Sequence, residues 1–350
     1  MGLNVRKKVT KDEFNSYWNT VKDKVCFDKL KEQTLSFANG QFTMQVCTSC
    51  DRLLDFVHKE FFFVLHNPLS EHDCYLIADN YDIHNFKRPE AYKDAGKIEF
   101  ICDDVGVIAI DYENDVLIAF QDEIKQSVLL TKDLSDIGFI LRQGHLFVQI
   151  VNHWARMSGL ILLHCAAVAQ DGSGTLICGR GGRGKSTLAI TSLVNGFDYI
   201  SDDYLLCKKS ADNELEVFPI YSIITLSDDI HSKLIGFEGD YIGISPWTGK
   251  NVYAIGGYDK AVLPSLKVKR VIFPHVCFAS VPVIKPCGKQ QPLSHIVTST
   301  LSQLYGEVSI TQISVLMNVL SGLKYYQFDL TGDLFANSNY LRKFLQDSSN

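Results

Sequence analysis

The amino-acid sequence predicts an α/β protein of two domains, of which the first is a strand-rich α+β domain. The chain has 350 residues, enough for more than one hydrophobic core. Up to Gln143, short apolar runs alternate with polar turns, whereas from His145 strand patterns alternate with helical ones. The second part also contains a glycine-rich loop between a strand and a helix. We therefore expect domains at residues 1–145 and 146–350.

Composition and charge exclude several classes of protein. Apolar residues make up 46% of the chain, so a substantial core can form. The net charge of -6 gives no basic surplus of the kind that nucleic-acid binding requires. The basic N-terminus is not followed by an apolar run, and no segment reaches the roughly 18 apolar residues of a membrane span. We expect a cytoplasmic protein without a membrane or nucleic-acid partner.

The ten cysteines are scattered along the chain, and we expect reduced thiols. Four lie in apolar runs, where cysteine acts as a small hydrophobe: Cys165, Cys178, Cys207 and Cys277. Cys47 and Cys50 form a C-x-x-C pair, but a zinc site would want a second pair with standard spacing. Zinc or redox chemistry therefore stays as the alternative to buried or incidental thiols.

The expected strands of the first domain have the β-branched and aromatic residues typical of strands, and their close spacing favours antiparallel pairing. They are EFFFVLHN, DCYLIAD, GKIEFICDD, VGVIAIDYEN and DVLIAFQ. No motif in this domain indicates a chemistry, and we expect the domain to help choose an acceptor.

The second domain reads as alternating elements around the glycine loop. HLFVQIVNHWARMSG predicts a helix that ends at Gly159, and LILLHCAAVA and TLICG predict strands joined by the tight turn QDGSG. STLAITSLVN predicts a helix that is closed by Gly196, and FDYIS the next strand. The later strands are EVFPIYSIITL, KRVIFPHVCFA and KYYQFDLTGD, and the later helices are SHIVTSTLSQLYG, TQISVLMNVLSG and NYLRKFLQ.

The glycine loop matches G-x-x-x-x-G-K-[ST] and predicts a site for a nucleotide polyphosphate. Glycines let backbone N–H groups turn inward, and the following helix N-terminus adds positive potential. Lys185 would reach the outer phosphates, and Ser186 would offer its hydroxyl to Mg²⁺. The expected binding residues are Gly179, Arg180, Gly181, Gly182, Arg183, Gly184, Lys185, Ser186 and Thr187. The expected cofactors are ATP and Mg²⁺, with GTP still open.

Two adjacent acids follow the loop closely, since Asp202 lies 17 residues after Lys185. A strand beside the loop's own strand would carry both acids to the terminal phosphate. Because successive side chains on a strand point apart, one of Asp202 and Asp203 can bind a metal while the other accepts the proton of an acceptor hydroxyl. The alternative is a solvated acid pair that caps the next turn.

The block from LHCAAVA to SDDYLL resembles the C-terminal domain of HPr kinase/phosphorylase, whose nucleotide fold is similar to that of phosphoenolpyruvate carboxykinase. The resemblance lies in the order of parts: a strand histidine, a hairpin, the loop, a short helix, a strand and Asp-Asp. It implies a P-loop kinase domain with Lys185 on phosphate and Ser186 on Mg²⁺. It also implies Asp202 as general base, Asp203 as an acid near metal or substrate, and His164 near the active centre.

The chain departs from that family downstream of the acids. The E-I-R-G type of signature, carried by relatives dedicated to HPr, is not found in the sequence. The resemblance therefore does not extend to HPr as acceptor, to the phosphorylase reaction or to hexamers, and a homo-oligomer stays open. Lys250 resembles a lysine that follows a turn in more distant kinase-like relatives, and it is either a phosphate or substrate contact or an ordinary loop lysine.

The leading hypothesis is an ATP- and Mg²⁺-dependent kinase that phosphorylates a hydroxyl, on a serine of a peptide or protein or on a small metabolite. The alternative is a non-catalytic nucleotide-binding module that regulates a partner. A carboxykinase-like lyase ranks lowest, because it would want a second metal site built from histidine, lysine and acid.

Overall fold

The computed structural model describes residues 5–27, 30–66, 71–86, 98–112, 114–136, 145–179, 181–246, 248–301 and 310–347. It shows a mixed α/β protein, as the sequence predicts, and the chain divides into two compact units. The first unit comprises Met1–Ser36, Phe42–His58 and Leu65–Val151. The second comprises Phe37–Gln41, Lys59–Val64 and Asn152–Asn350.

The first nine strands form one sheet, in the order β1-β6-β7-β8-β9-β5-β3-β2-β4. The strands are β1 (Val5–Lys8), β2 (Lys31–Phe37), β3 (Phe42–Thr48), β4 (Leu65–His66), β5 (Cys74–Asn80), β6 (Ile98–Cys102), β7 (Gly106–Asp111), β8 (Val116–Gln121) and β9 (Gln126–Thr131). The helices in this part are α1 (Lys11–Lys22), α2 (Asp51–Glu60) and α3 (Val148–Met157), with 3₁₀ turns at Phe62–Val64 and Ile83–Asn85.

Antiparallel pairing is confirmed for β6 to β9, which form a meander, and for β2 with β4, but it is wrong for the pairs that involve β5 and β1. β5 pairs parallel with both β3 and β9, and β1 pairs parallel with β6. The predicted strand EFFFVLHN is confirmed only at Leu65–His66, because Glu60 ends α2 and Phe62–Val64 form a 3₁₀ turn. α1 begins in a capping box between Thr10 and Glu13 and buries Phe14, Trp18 and Val21 in the core of the first unit.

The second unit holds the glycine loop. Its strands are β10 (Ile161–His164), β11 (Ala166–Gln170), β12 (Ser173–Ile177), β13 (Asp198–Ser201), β14 (Tyr204–Lys209), β15 (Leu215–Phe218), β16 (Ile223–Leu226), β17 (Asp240–Ile244), β18 (Asn251–Ala254), β19 (Leu266–Val276), β20 (Val283–Pro286) and β21 (Lys324–Leu330). Its further helices are α4 (Lys185–Val194), α5 (Asp228–Lys233), α6 (Gln290–Leu301), α7 (Ile310–Leu320) and α8 (Leu334–Asp347), with a 3₁₀ segment at Gly256–Ala261.

The main sheet of this unit runs in the order β10-β14-β15-β19-β12-β11-β13, with β21 beside β19 and β20 beside β21. Apolar side chains cover both faces. On one face, α4 and α8 contribute Leu188, Leu193 and Leu341 to a buried cluster. On the other, α6 and α7 contribute Ile296 and Leu320 to a second cluster. The loop therefore lies at the C-terminal end of an inner strand, in a sheet that has helices on both faces.

One pair of chain segments joins the two ends of this sheet. β10 and β11 are separated only by Cys165, and β13 and β14 only by Asp202 and Asp203. β10 pairs antiparallel with β14, and β11 pairs antiparallel with β13. His164 lies opposite Tyr204, and the same register holds for Ala167 opposite Ser201 before a β-bulge shifts it at Val168. We call this break the strand corner (residues 164–166 and 202–204).

The prediction that the strand before the two acids lies directly beside the loop's own strand, β12, is wrong. β13 pairs with β11, so one strand lies between it and β12, and the parallel neighbour of β12 is β19. Because β11 is antiparallel to both β12 and β13, those two strands still run in the same direction. The two acids after β13 therefore still lie at the edge where the loop follows β12. Among the described residues, no helix is long and apolar enough to cross a membrane.

Candidate functional site

The loop between β12 and α4 needs glycine at two of its positions. Gly182 has φ +79° and Gly184 has φ +88°, values that side chains with a Cβ disfavour. A Cβ on Gly184 would also lie 3.0 Å from Cδ1 of Leu330 and 3.3 Å from Cγ2 of Val276. The backbone can take this path only because both residues lack a side chain. Arg180 lies outside the described residues.

The N-terminus of α4 offers backbone donors toward the loop. The first helical hydrogen bond runs from the N–H of Leu188 to the carbonyl of Gly184, at 2.9 Å. The N–H groups of Lys185, Ser186 and Thr187 therefore have no acceptor within the helix. No side chain caps this terminus. A helix end with open N–H groups attracts anions, phosphates in particular.

Two of the candidate side chains contact one carboxylate oxygen of a third at this helix end. Oδ1 of Asp203 lies 2.8 Å from Nζ of Lys185 and 2.5 Å from Nε2 of His164. The side chains of Lys185 and His164 are only 7% and 11% exposed, whereas that of Asp203 is 31% exposed. The carboxylate therefore faces an ammonium and an imidazole on the protein side and is still open to a ligand.

The strand corner and α6 hold His164 in place. Its ring stacks on Tyr204, with the centroids 5.0 Å apart and the planes at 23°. Its backbone N–H donates to Oγ1 of Thr300 at 3.0 Å. Burial and the negative charge of Asp203 both raise the pKa of Tyr204, so this ring stays neutral at physiological pH. The imidazole is thus fixed on one face by a neutral aromatic side chain.

Asp202 is more deeply buried than Asp203. It is 5% exposed, and the Tyr199 hydroxyl donates to its Oδ1 at 3.4 Å. Burial, together with Asp202, raises the pKa of Tyr199 well above its usual value, so Tyr199 remains a donor. The Ser186 hydroxyl lies 3.5 Å from the main-chain oxygen of Asp202. The two acids therefore have different surroundings, since the Asp202 carboxylate is buried beside Tyr199 and the Asp203 carboxylate is partly exposed beside Lys185.

The remaining candidates lie further from this group. The guanidinium carbon of Arg183 lies 6.0 Å from the ring centroid of Phe273, a cation–π contact. Lys250 is exposed on the turn between β17 and β18, where its carbonyl accepts from the N–H of Ser245 at 2.8 Å. Within the described residues, Lys250 forms no hydrogen bond or ion pair with the loop or with Asp203.

Sequence reasoning missed three residues that support the site. Tyr199 and Tyr204 flank the two acids, and their positions in FDYISDDY were a signal that went unused. Thr300 lies 136 residues from its partner His164, and no local pattern marks it. Contacts between segments that are distant in sequence place Thr300 beside His164.

The cysteines are all free thiols. Cys165, Cys178 and Cys207 are buried, as expected for small hydrophobes, and burial raises the pKa of Cys165 to about 12. Cys277 is exposed, so the same expectation is wrong there, because it follows the last residue of β19 and lies outside the core. Cys47 is buried, and burial raises its pKa to about 12, which makes it a poor nucleophile.

Comparisons with known proteins show similarity to solved structures. No family model matches the chain, and no curated protein matches it. Among solved structures, the HPr(Ser) kinase/phosphatase from Coxiella burnetii is similar over 54% of this chain and 99% of its own, with 14% identity and a TM-score of 0.31. At these values the chain is, at most, a distant relative of that protein.

Proposed function

We propose that the second unit is an ATP- and Mg²⁺-dependent kinase that transfers the γ-phosphate to a hydroxyl group. The observation that carries the proposal is the meeting of Lys185 and His164 on Asp203, at the open N-terminus of α4. Phosphoryl transfer is catalysed mainly by positioning and by electrostatic stabilisation, so a glycine loop, a lysine, a metal and a base suffice.

The phosphates would bind in the loop. Gly182 and Gly184 turn the backbone so that N–H groups face the ligand, and the end of α4 adds positive potential. The ammonium of Lys185, which is paired with Asp203 in the free protein, would turn to the outer phosphates. Because Lys185 is largely buried, its attraction for phosphate is weakly screened by water.

The donor set fits Mg²⁺, which prefers oxygen ligands and keeps several waters. Ser186 would offer its hydroxyl and Asp202 its carboxylate to the ion, and the two residues are neighbours because the Ser186 hydroxyl lies 3.5 Å from the main-chain oxygen of Asp202. The bound ion would neutralise charge on the phosphate oxygens. This assignment replaces the metal role expected for Asp203.

Asp203 is the better general base of the two acids. A base must touch the acceptor hydroxyl, and the Asp203 side chain is 31% exposed whereas Asp202 is 5% exposed. Asp203 takes the hydroxyl proton while the acceptor oxygen bonds to the γ-phosphorus and the bond to the leaving ADP breaks. His164 acts as a positioning residue, because its Nε2 bonds to Oδ1 of Asp203 and holds that carboxylate in place.

The acceptor is a hydroxyl on a peptide, a protein or a small metabolite. To find it, the full-length protein is incubated with ATP labelled in the γ-phosphate, Mg²⁺ and a cell extract, and the label is followed into protein and small-molecule fractions. We expect Asp203→Asn to lower transfer by at least about a hundredfold, the usual contribution of a general base. ATP binding should be retained.

The matched control is Asp198→Asn, at the other end of β13, which should leave both binding and transfer unchanged. Asp202→Asn should also lose transfer, but excess Mg²⁺ should restore part of it. Full transfer by the Asp203→Asn variant would contradict the base assignment. Nucleotide binding without transfer to any fraction would instead identify the regulatory module.

A further inference from the structure

Three side chains with metal-ligating atoms lie together where β19 and β21 end. His275 and Cys277 are two residues apart, at and just after the end of β19, and Asp329 lies directly opposite His275 on β21. One nitrogen, one sulfur and one oxygen atom of these residues lie within 4.8 Å of one another. We call them the strand-end triad.

His275 and Asp329 lie on the opposite face of the sheet from the residues that Gly184 approaches. Val276 and Leu330, the next residues on each strand, are the ones that a Cβ on Gly184 would touch. Because successive side chains on a strand point to opposite faces, His275 and Asp329 point to the other face of the sheet. The triad therefore shares no residue with the candidate phosphate site.

The distances suit a small divalent ion. Nδ1 of His275 lies 3.0 Å from Oδ1 of Asp329. In a tetrahedral zinc site with bonds of about 2.0–2.2 Å, a nitrogen and an oxygen ligand are about 3.3 Å apart. Zinc sulfur bonds are about 2.3 Å, so the thiol of Cys277 needs to move by no more than about 1–2 Å to complete the site. This thiol lies on an exposed residue just after a strand, where such a movement costs little.

Further side chains fix the carboxylate in place. Nζ of Lys285 lies 2.7 Å from Oδ2 of Asp329, and Nε2 of Gln327 donates to Oδ1 at 2.5 Å. Lys285, Gln327 and His275 together contact both oxygens of the Asp329 carboxylate and fix its orientation. Ligating carboxylates in metal sites are commonly held by such outer partners.

We propose that the strand-end triad binds Zn²⁺ or a similar borderline-soft divalent ion, with water as a fourth ligand. A thiolate and an imidazole favour zinc over Mg²⁺ or Ca²⁺, and three protein ligands leave one position open. On binding, Cys277 releases its thiol proton to solvent. The hydrogen bond between His275 and Asp329 is replaced by a bond from each of them to the ion, and the proton on Nδ1 of His275 is exchanged through solvent so that the neutral ring carries its proton on Nε2.

Cobalt and zinc binding to the full-length protein test the proposal. Co²⁺ is titrated in, and the absorbance is followed for the thiolate-to-cobalt charge-transfer band and for the visible bands of tetrahedral cobalt. Zn²⁺ affinity is then measured by displacement of Co²⁺. We expect one equivalent of metal, a charge-transfer band, and zinc affinity lowered at least about tenfold in Cys277→Ser and in His275→Ala.

The matched control is Cys26→Ser, which removes an exposed cysteine outside the triad and should change nothing. Far-UV circular dichroism of each variant checks that the fold is retained, and both ligand positions are exposed enough to tolerate substitution. No stoichiometric binding by the wild-type protein, or a charge-transfer band that persists in Cys277→Ser, would overturn the proposal. Neither result bears on phosphate transfer.

Discussion

His164 and Tyr204 lie directly opposite each other on β10 and β14, with their rings stacked at 5.0 Å. The same register continues past the strand corner, where Ala167 lies opposite Ser201. The acids between Ser201 and Tyr204 are therefore held beside the histidine by strand pairing on both sides. The meeting of Asp203 with His164 follows from backbone register as much as from the attraction between the two side chains.

Removal of the Asp203 charge should strengthen nucleotide binding while it abolishes transfer. In the free protein the Lys185 ammonium is bound to Asp203, so an incoming phosphate competes with that carboxylate. Without Mg²⁺, we expect Asp203→Asn to bind ATP about fivefold more tightly, equivalent to about 1 kcal/mol of removed repulsion. Isothermal titration calorimetry measures this affinity. Weaker binding by the variant than by Asp198→Asn would show that Asp203 does not compete for the lysine.

Alanine at Gly184 should destabilise the second unit. Its φ of +88° costs an alanine about 1–2 kcal/mol, and the added Cβ would press on Leu330 at 3.0 Å. We expect a loss of about 1–3 kcal/mol in the free energy of unfolding, measured by urea titration. Gly181→Ala is the control, because no heavy atom lies within 4 Å of its added Cβ. Equal stability of the two variants would argue against the left-handed turn at Gly184.

The contribution of Asp329 to stability should depend on pH in a defined direction. Its carboxyl has a pKa of about 2 in the folded chain, below the usual 3.8, so the folded state binds the proton less readily than the unfolded state does. The resulting stabilisation is fully present above about pH 5 and is lost as the pH falls toward 2. With a chelator present, urea unfolding should show Asp329→Asn less stable than wild type at pH 7, and the difference should shrink at low pH. A difference that grew on acidification would refute this.

The thiols should react in two classes. Cys26 and Cys277 are exposed, whereas Cys165, Cys178 and Cys207 are buried. Burial also raises the pKa of each of the three buried thiols, which lowers the fraction of reactive thiolate. In chelator at neutral pH, alkylation followed by mass spectrometry should label the exposed pair first and the buried three only after unfolding. Early labelling of Cys178 would indicate an opening of the sheet at the loop.

Local signals predicted the loop and its immediate flanks. The hairpin between β11 and β12 turns at Asp171 and Gly172, both with positive φ, as the QDGSG turn predicts. α4 ends just before Gly196, whose φ is +81°. α3 ends near Gly159 in the same way, with φ +75°. Each of these features depends on residues that are close together in sequence.

The features that sequence did not predict depend on distant pairing. LILLHCAAVA reads as one strand, because buried residues continue on both sides of Cys165 and nothing local marks the change of partner there. The parallel neighbour of β12 is β19, nearly a hundred residues further along the chain. Alternation along the strand indicated that Asp202 and Asp203 point apart, but only the packing of Tyr199 decides which of them is buried.

The strand corner connects, through the chain, strands that lie at the two ends of the main sheet of the second unit. Hydrogen bonds connect five neighbouring strands of this sheet, in the order β14, β15, β19, β12 and β11. The chain segments through Cys165 and through the acid pair connect the two ends of this series. A ligand bound at the strand corner would restrain this series of strands at both of its ends. We therefore expect nucleotide to slow amide hydrogen exchange in β15, which carries none of the site residues, as well as in β12.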